Sequence, residues 1–115
     1  MKKYINSFFL ILGLLAFPSW AAIQLSASEC LAVYGTTAYN LAVQRDSKVS
    51  KDTFLKQYDT YLAGLGVSSD DEAVAIMKDL VDYVYLSGKT KEVLFEEKST
   101  QCLSQKGILR KNEVL

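Results

Sequence analysis

Two cysteines limit how this 115-residue chain can fold more than any other feature. Cys30 and Cys102 are its only cysteines, and they lie near opposite ends of the sequence that follows an export signal. Because an even number of cysteines in an exported protein is typical of disulfide bonding, we expect these two to be paired; two free buried thiols are the alternative. Closing a loop of roughly 70 residues would lower the entropy of the unfolded chain and so stabilise the folded state by about 4 kcal/mol. The sequence therefore predicts a small domain whose first and last segments are joined covalently.

The first residues have the organisation of a secretory signal peptide. Lys2 and Lys3 precede an apolar run over residues 8–17, and Ser19-Trp20-Ala21 has small residues at the spacing that signal peptidase cleaves. The apolar run is about half as long as the ~20 residues that span a bilayer, which disfavours a retained anchor. We expect three parts: a cleaved signal peptide (1–21), a helical domain (22–107) and a flexible C-terminal tail (108–115). The mature protein is expected to be periplasmic or secreted, without stable membrane insertion.

The sequence after residue 21 contains no proline and alternates helical patterns with turns. Side chains that can accept backbone hydrogen bonds predict four helix starts, at Ser26, Ser50, Ser69 and Thr90. Apolar residues then recur at the i, i+3, i+4, i+7 spacing of a buried stripe. The predicted inward-facing residues are Cys30, Tyr34, Thr37, Ala38, Leu41, Phe54, Leu55, Tyr58, Tyr61, Leu62, Leu65, Val74, Met77, Leu80, Val81, Val84, Leu94, Phe95 and Cys102. No strand-like alternation appears, so the predicted fold is all-α: a small four-helix bundle with its first and last helices linked by the disulfide.

One short motif suggests nucleotide binding. Gly88-Lys89-Thr90 matches the end of a phosphate-binding P-loop, but that motif also needs a glycine where this chain has Tyr83, and a preceding β-strand. The same three residues are typical of a helix boundary. Gly88 is expected in a left-handed turn after the third helix, and Thr90 is expected to cap the fourth. We therefore expect no nucleotide site.

The composition also disfavours catalysis and metal binding. The chain has no histidine, which removes Ser-His and Cys-His pairs and the commonest transition-metal ligand. The acidic run 70–72 has the position of a helix N-terminus, where negative charge is favourable, rather than the spacing of a calcium loop. Cleavage of the signal peptide would remove Lys2 and Lys3, so that 11 of the 13 basic residues remain against 13 acidic residues. The remaining basic residues form no stripe. We expect a protein that is not an enzyme, holds no cofactor or metal and does not bind nucleic acid.

The first helix has a second uncharged strip opposite its inner face. This strip consists of Ala32, Thr36, Tyr39 and Val43, at i, i+4, i+7 and i+11. A helix that is apolar on two sides is normally buried on both, so the first helix is either the central helix of the bundle or presents the strip to a partner. In the second interpretation, small residues around one tyrosine form a surface for another protein or for a second copy of the chain.

The two cysteine-bearing ends carry a resemblance to a known class of proteins. The segment "ECLAVYGTTAYNLA" near the mature start and "STQCLSQKGIL" near the end look like those of small periplasmic immunity proteins of bacterial type VI secretion, the Tai kind. The resemblance implies an all-helical protein, often dimeric, that neutralises an effector that cleaves the cell wall. It also implies contacts made by loops such as residues 64–71 or 87–90. The sequence therefore favours an exported binding protein that acts as an immunity-type inhibitor of a secreted effector or an envelope hydrolase.

Two other functions fit an exported helical protein with one disulfide. The size, the export signal and the disulfide are similar to those of HdeA-type acid-stress chaperones of the periplasm. With no histidine present, carboxylates would be the groups that respond to acid and expose apolar surface. The third possibility is an accessory subunit of an envelope complex.

Overall fold

The computed structural model describes residues 22–68 and 71–110. Four helices make up most of this part: α1, a continuous run of Ala27–Glu29, a π-helical Cys30–Gly35 and Thr36–Asp46; α2, Lys51–Leu65; α3, Glu72–Ser87; and α4, Lys91–Ser104. Two short strands flank the helices: β1, Ala22–Gln24, and β2, Ile108–Arg110. The expected signal peptide and residues 111–115 of the expected tail lie outside the described residues.

Three helices start at the residues expected from the sequence. The hydroxyl of Ser26 accepts a hydrogen bond from the backbone N–H of Glu29, whose carboxylate accepts one from the N–H of Ser26. The hydroxyls of Ser50 and Thr90 accept backbone hydrogen bonds in the first turns of α2 and α4. Each cap satisfies a donor that has no partner inside the helix, which fixes where the helix begins.

The start of α3 differs from the expectation. Asp71 caps this helix, its carboxylate accepting a hydrogen bond from the N–H of Ala73 at 3.0 Å, whereas Ser69 lies outside the described residues. Asp71 immediately precedes the first helical residue, and a carboxylate there also complements the positive end of the helix dipole. The helix therefore begins two residues later than the predicted start at Ser69, which was wrong.

The buried core follows the expected stripes closely in α1 and α3. All the residues predicted to face inward from these two helices are buried, and Ala42, Gln44, Ala73 and Ile76 join them. In α2 the buried stripe is narrower than expected: Phe54, Tyr58 and Leu62 are buried, while Leu65 is exposed. The reason is position, because α1 lies against both α3 and α4, whereas α2 packs mainly on α3.

The contact between α1 and α4 is unusually close for two helices. The predicted disulfide joins Cys30 to Cys102, with the Cα atoms 5.5 Å apart. One turn further along α1, Gly35 faces α4, and a Cβ atom there would overlap the Oγ of Ser99 and lie 3.1 Å from the ring of Phe95. Only a residue without a side chain allows this approach. The disulfide and Gly35 therefore fix how α1 lies on α4.

A small sheet corrects the all-α prediction. Strands β1 and β2 pair antiparallel, with Ile23 opposite Leu109, and both of these side chains are buried. The turn before β2 needs Gly107, which has a left-handed φ of 78°. Its carbonyl accepts a hydrogen bond from the N–H of Leu25 at 2.8 Å, and a Cβ at this position would overlap the carbonyl of Leu25. Residues 108–110, expected to belong to a flexible tail, thus form an ordered strand.

Polar contacts tie the loops to the helices. The guanidinium of Arg45 donates hydrogen bonds to the carbonyl oxygens of Val84 at 2.8 Å and Lys89 at 2.7 Å. The hydroxyl of Tyr85 donates to the carbonyl oxygen of Val49 at 2.9 Å. The bond to Val84 satisfies a carbonyl in the last turn of α3, where helix geometry leaves such groups without a partner in the helix. The other two satisfy carbonyls of the loops at Val49 and Lys89. Together these bonds hold the end of α1 against the end of α3.

Replacing Gly35 tests the close contact between α1 and α4. We expect Gly35→Ala to lower the free energy of unfolding by about 1–3 kcal/mol, because the new methyl group overlaps Ser99 and the helices must separate. Adding Ser99→Ala should recover part of the loss by removing the overlapping hydroxyl. Urea denaturation followed by circular dichroism measures both variants.

Gly64→Ala is the matched control. Gly64 is also helical, but nothing lies within 4 Å of a Cβ placed there. Alanine is the better helix former, so this variant should be as stable as the wild type or more stable by up to about 1 kcal/mol. Equal free energies of unfolding for Gly35→Ala and Gly64→Ala would show that α1 does not need a glycine against α4.

Candidate binding groove

An open groove runs between α1 and α4, with a volume of about 520 Å³. We call it the α1–α4 groove. Three of its lining residues come from α1 and six from α4; they are Leu31, Thr36, Tyr39, Glu92, Phe95, Glu96, Ser99, Thr100 and Leu103. This volume lies within the range of sites that bind small molecules or single side chains of a partner.

The two helices run antiparallel along the groove. Leu31 and Leu103 lie at the end nearest the disulfide, because they follow Cys30 and Cys102 directly. At the other end, the ammonium group of Lys91 lies 6.0 Å from the centre of the Tyr39 ring. On α4 the lining residues recur at helical spacing, on the face next to the one that buries Leu94 and Cys102. The groove is therefore a continuous strip along one side of the disulfide-linked pair.

The strip predicted on the first helix coincides with the groove in part. Thr36 and Tyr39 line it; Ala32 is exposed and Val43 is partly buried, and neither lines the groove. Leu31 takes the place that regular α-helical spacing assigns to Ala32.

The π-helical segment explains this exchange. In a π-turn, residues five apart lie one above the other, whereas four is the usual interval. Both the N–H and the hydroxyl of Thr36 donate to the carbonyl oxygen of Leu31, five residues earlier. The extra residue rotates the start of α1, so that Leu31 points along the same face as Thr36. Regular α-helical periodicity cannot predict this shift.

The floor of the groove is apolar and accessible. Leu31 and Leu103 are each 42% exposed, and Phe95, expected to face inward, is only partly buried and lines the groove. Ser99 is 4% exposed, and its hydroxyl, which lies against Gly35, has no hydrogen-bond partner among the described residues. A buried hydroxyl without a partner costs free energy, which is part of the cost of packing α1 this closely on α4.

The rim of the groove is acidic. Glu92 and Glu96 lie one turn apart on α4; Glu92 is 67% exposed and its carboxylate is 3.6 Å from the ammonium group of Lys91. Among the described residues, Glu96 has no hydrogen bond or ion pair. An exposed carboxylate beside apolar side chains favours a ligand that has both apolar and basic groups.

A polar network lies on the other side of α4. The ammonium group of Lys89 donates hydrogen bonds to the carboxylate of Glu97 at 2.6 Å and to the hydroxyl of Tyr83 at 2.9 Å, and that hydroxyl donates to Glu97 at 2.5 Å. The P-loop-like segment therefore has a structural role: Gly88 is left-handed as expected, with φ of 68°, and Lys89 links α3 to α4.

A buried lysine completes this network. Lys98 is 2% exposed; its ammonium group lies 3.8 Å from the centre of the Tyr83 ring and donates a hydrogen bond to Gln101 at 2.9 Å. Burial lowers the pKa of Lys98, the negative charge of Glu97 opposes this change, and Lys89 adds to it. The cation–π contact offsets part of the cost of taking this charge out of water.

The network shifts the pKa values of Lys89 and Glu97 in opposite directions. Hydrogen bonds to Glu97 and Tyr83 raise the pKa of Lys89. Burial by itself would raise the pKa of Glu97, but hydrogen bonds from Lys89 and Tyr83 and the positive charges nearby lower it. The ion pair of Glu97 with Lys89 therefore stabilises the fold fully at pH values above the pKa of Glu97 in the unfolded chain. Its contribution is lost as the pH falls through the lower pKa of Glu97 in the folded state.

The described residues contain no other recognisable chemistry. Within residues 22–68 and 71–110, no three cysteine or acidic side chains are placed to hold a metal ion together. In the same part of the chain, no helix has the length and apolar character needed to cross a membrane. The α1–α4 groove is the feature whose shape and charge suit the binding of another molecule.

Sequence reasoning missed most of the α4 side of the groove. The signal was present: Glu92, Phe95, Glu96, Ser99 and Leu103 recur at i, i+3, i+4, i+7 and i+11. Two acids interrupt this stripe, so the apolar pattern is weak, and only Phe95 was selected from it. The lysines and the glutamate of the polar network give no sequence signal, because their contacts join two helices.

No protein-family model, no curated protein and no solved structure matches this chain. The resemblance to immunity proteins stays a prediction; the two segments that suggest it contain the α1 wall of the groove and, on α4, only Ser99, Thr100 and Leu103 of its lining.

The pKa of Glu97 predicts how the stability of the network depends on pH. We expect Glu97→Gln to lower the urea midpoint at pH 7, because the charge-assisted bonds to Lys89 and Tyr83 weaken. The difference from the wild type should shrink below about pH 4, where a carboxyl group with an ordinary pKa is protonated in the unfolded chain. Urea titrations between pH 3 and 8 measure this.

Glu96→Gln is the matched control for that experiment. Its carboxylate lies one residue away on the same helix and makes no hydrogen bond or ion pair among the described residues, so removing its charge should change the urea midpoint little between pH 3 and 8. A constant difference between Glu97→Gln and the wild type across the whole range would contradict the role given to the network.

Proposed function

We propose that this chain is an exported, non-enzymatic binding protein that acts as an immunity-type inhibitor of a secreted effector or an envelope hydrolase. The observation that carries the proposal is the α1–α4 groove, which has an apolar floor and an acidic rim. The disulfide supports it, because a Cys30–Cys102 bond is compatible with an oxidising compartment outside the cytosol.

The walls of the groove are suited to tight binding because they are held in place before any partner arrives. Cys30–Cys102 joins them at one end, and Gly35 lets them pack closely beside Ser99. A preformed surface loses little conformational freedom on binding, which leaves more of the contact energy for affinity.

The side chains at the surface of the groove have the character of a binding hot spot. Tyr39 supplies an aromatic ring at one end, and Leu31, Phe95 and Leu103 supply apolar surface beside it. Binding energy in protein interfaces is concentrated in a few residues, tyrosine among the commonest, that near-neutral contacts shield from water. Glu92 and Glu96 form the rim of the groove. We propose the groove, rather than the loops around residues 64–71 and 87–90, as the main contact surface.

The apolar floor also explains why we propose binding rather than catalysis. Glu92 and Glu96 are on one face of one helix and open to water, so nothing in the groove holds their carboxylates in the different environments that acid–base catalysis requires. The partner is a protein in this proposal. A second copy of the chain on the groove is the alternative, and it would appear as a dimer in light scattering.

Aspartate substitutions in the groove test the proposed surface. Leu103→Asp places a charge on the groove floor, and we expect it to weaken partner binding at least about 100-fold, as for a hot-spot residue. Tyr39→Asp should have the same effect. The wild-type mature protein should capture an exported wall-cleaving enzyme from envelope extract and suppress its digestion of purified cell wall. Both variants should fail, while their helical circular dichroism stays unchanged.

Leu86→Asp is the matched control, because Leu86 is 77% exposed on α3 and does not line the groove. This variant should capture and inhibit like the wild type. The proposal is wrong if the wild type suppresses no wall-cleaving activity. It is also wrong if Leu103→Asp inhibits as well as Leu86→Asp does, or if a dimer that Tyr39→Asp disperses is the only complex formed.

A further inference from the structure

We infer that the α1–α4 groove binds a basic amphipathic helix of the partner, with apolar side chains on the groove floor and a lysine or arginine against Glu96. This inference deepens the proposed function and rests on it only in taking the partner to be a protein. Two features of the groove support it: its length and shape, and its unbalanced charge.

The length of the groove suits a short helix. Its α4 wall extends from Glu92 to Leu103, which at about 1.5 Å per residue is roughly 16 Å, or three helical turns. The floor presents Leu103 and Leu31 at one end, Phe95 in the middle and Tyr39 at the other end. Apolar side chains at positions i, i+4 and i+7 of a bound helix recur at the spacing needed to meet them.

The charge of the rim selects a basic partner. Glu97, on the far side of α4, is neutralised by Lys89, but Glu96 has no partner among the described residues. Glu92 has only the neighbouring Lys91, at 3.6 Å. Bringing an acidic or purely apolar segment against Glu96 would remove water from an unpaired carboxylate, which is unfavourable. A lysine or arginine at this point pairs with it, and the bond is strengthened by the apolar surroundings.

The floor and the rim of the groove thus favour different groups. Leu31, Phe95 and Leu103 favour apolar side chains, and Glu96 favours a basic one. A neutral helix meets these requirements less well.

Two synthetic peptides test the inference. Each is an alanine-based helix of about three turns with leucine at i, i+4 and i+7 and a fluorescent label; one carries lysines beside the leucine stripe and the other carries glutamates at the same positions. Fluorescence anisotropy measures binding to the disulfide-bonded mature protein. We expect the lysine peptide to bind at least about tenfold more tightly, and the preference to fall with added salt.

Charge variants of the protein assign this preference to one residue. Glu96→Lys should reverse it, so that the glutamate peptide binds more tightly. Asp52→Lys makes the same charge change on the exposed first turn of α2, outside the groove, and should leave the preference unchanged. Leu103→Asp should weaken the binding of both peptides, which shows that they occupy the groove.

The outcomes separate this inference from the proposed function. Equal binding of the two peptides, no measurable binding of either, or a preference that Glu96→Lys leaves unchanged would overturn the inference. If Glu96→Lys still captures and inhibits the wall-cleaving enzyme while Tyr39→Asp does not, the proposed function stands and the basic helix is wrong. If the peptides show the expected preference but the wild type inhibits no enzyme, the groove's ligand class stands and the immunity function fails.

Discussion

The close approach of α1 to α4 is the contact on which the rest of this fold depends. Cys30 and Cys102 join the two helices at one end, and Gly35 lets their backbones meet beside Ser99 where any other residue would hold them apart. A domain of this size has a small core, so a covalent link between its ends contributes a large share of its stability. The other helices complete this pair: α3 covers the inner face of α1, and α2 packs on α3.

The same contact creates the surface available for binding. The α1–α4 groove lies beside this contact, and its walls cannot move apart without breaking the disulfide or losing the contact at Gly35. In the proposed function, stability and recognition thus depend on the same residues. The polar network of Lys89, Glu97 and Tyr83 lies on the opposite side of α4, where it fixes that helix against α3 and leaves the groove side free.

Much of the fold could be predicted from local signals. The helix caps at Ser26, Ser50 and Thr90, the turn at Gly88 and the inner faces of α1 and α3 all depend on residues within a few positions of one another. The features that could not be predicted are non-local or break regular periodicity. Pairing of β1 with β2 joins the two ends of the domain, and the π-turn before Thr36 exchanges Ala32 for Leu31 on the groove face. Of the four residues in the predicted partner strip, only Thr36 and Tyr39 therefore line the groove.

The central claim is that a partner protein binds in the α1–α4 groove. Site-specific photo-cross-linking tests it most directly: a photoreactive side chain is placed at Thr100, which lines the groove, or at Ala63, which is exposed at the end of α2 beside the loop at 64–71. With the captured partner present, we expect a cross-link from Thr100 and none from Ala63. A cross-link from Ala63 alone would show that the partner binds the loops and that the groove is not the recognition surface.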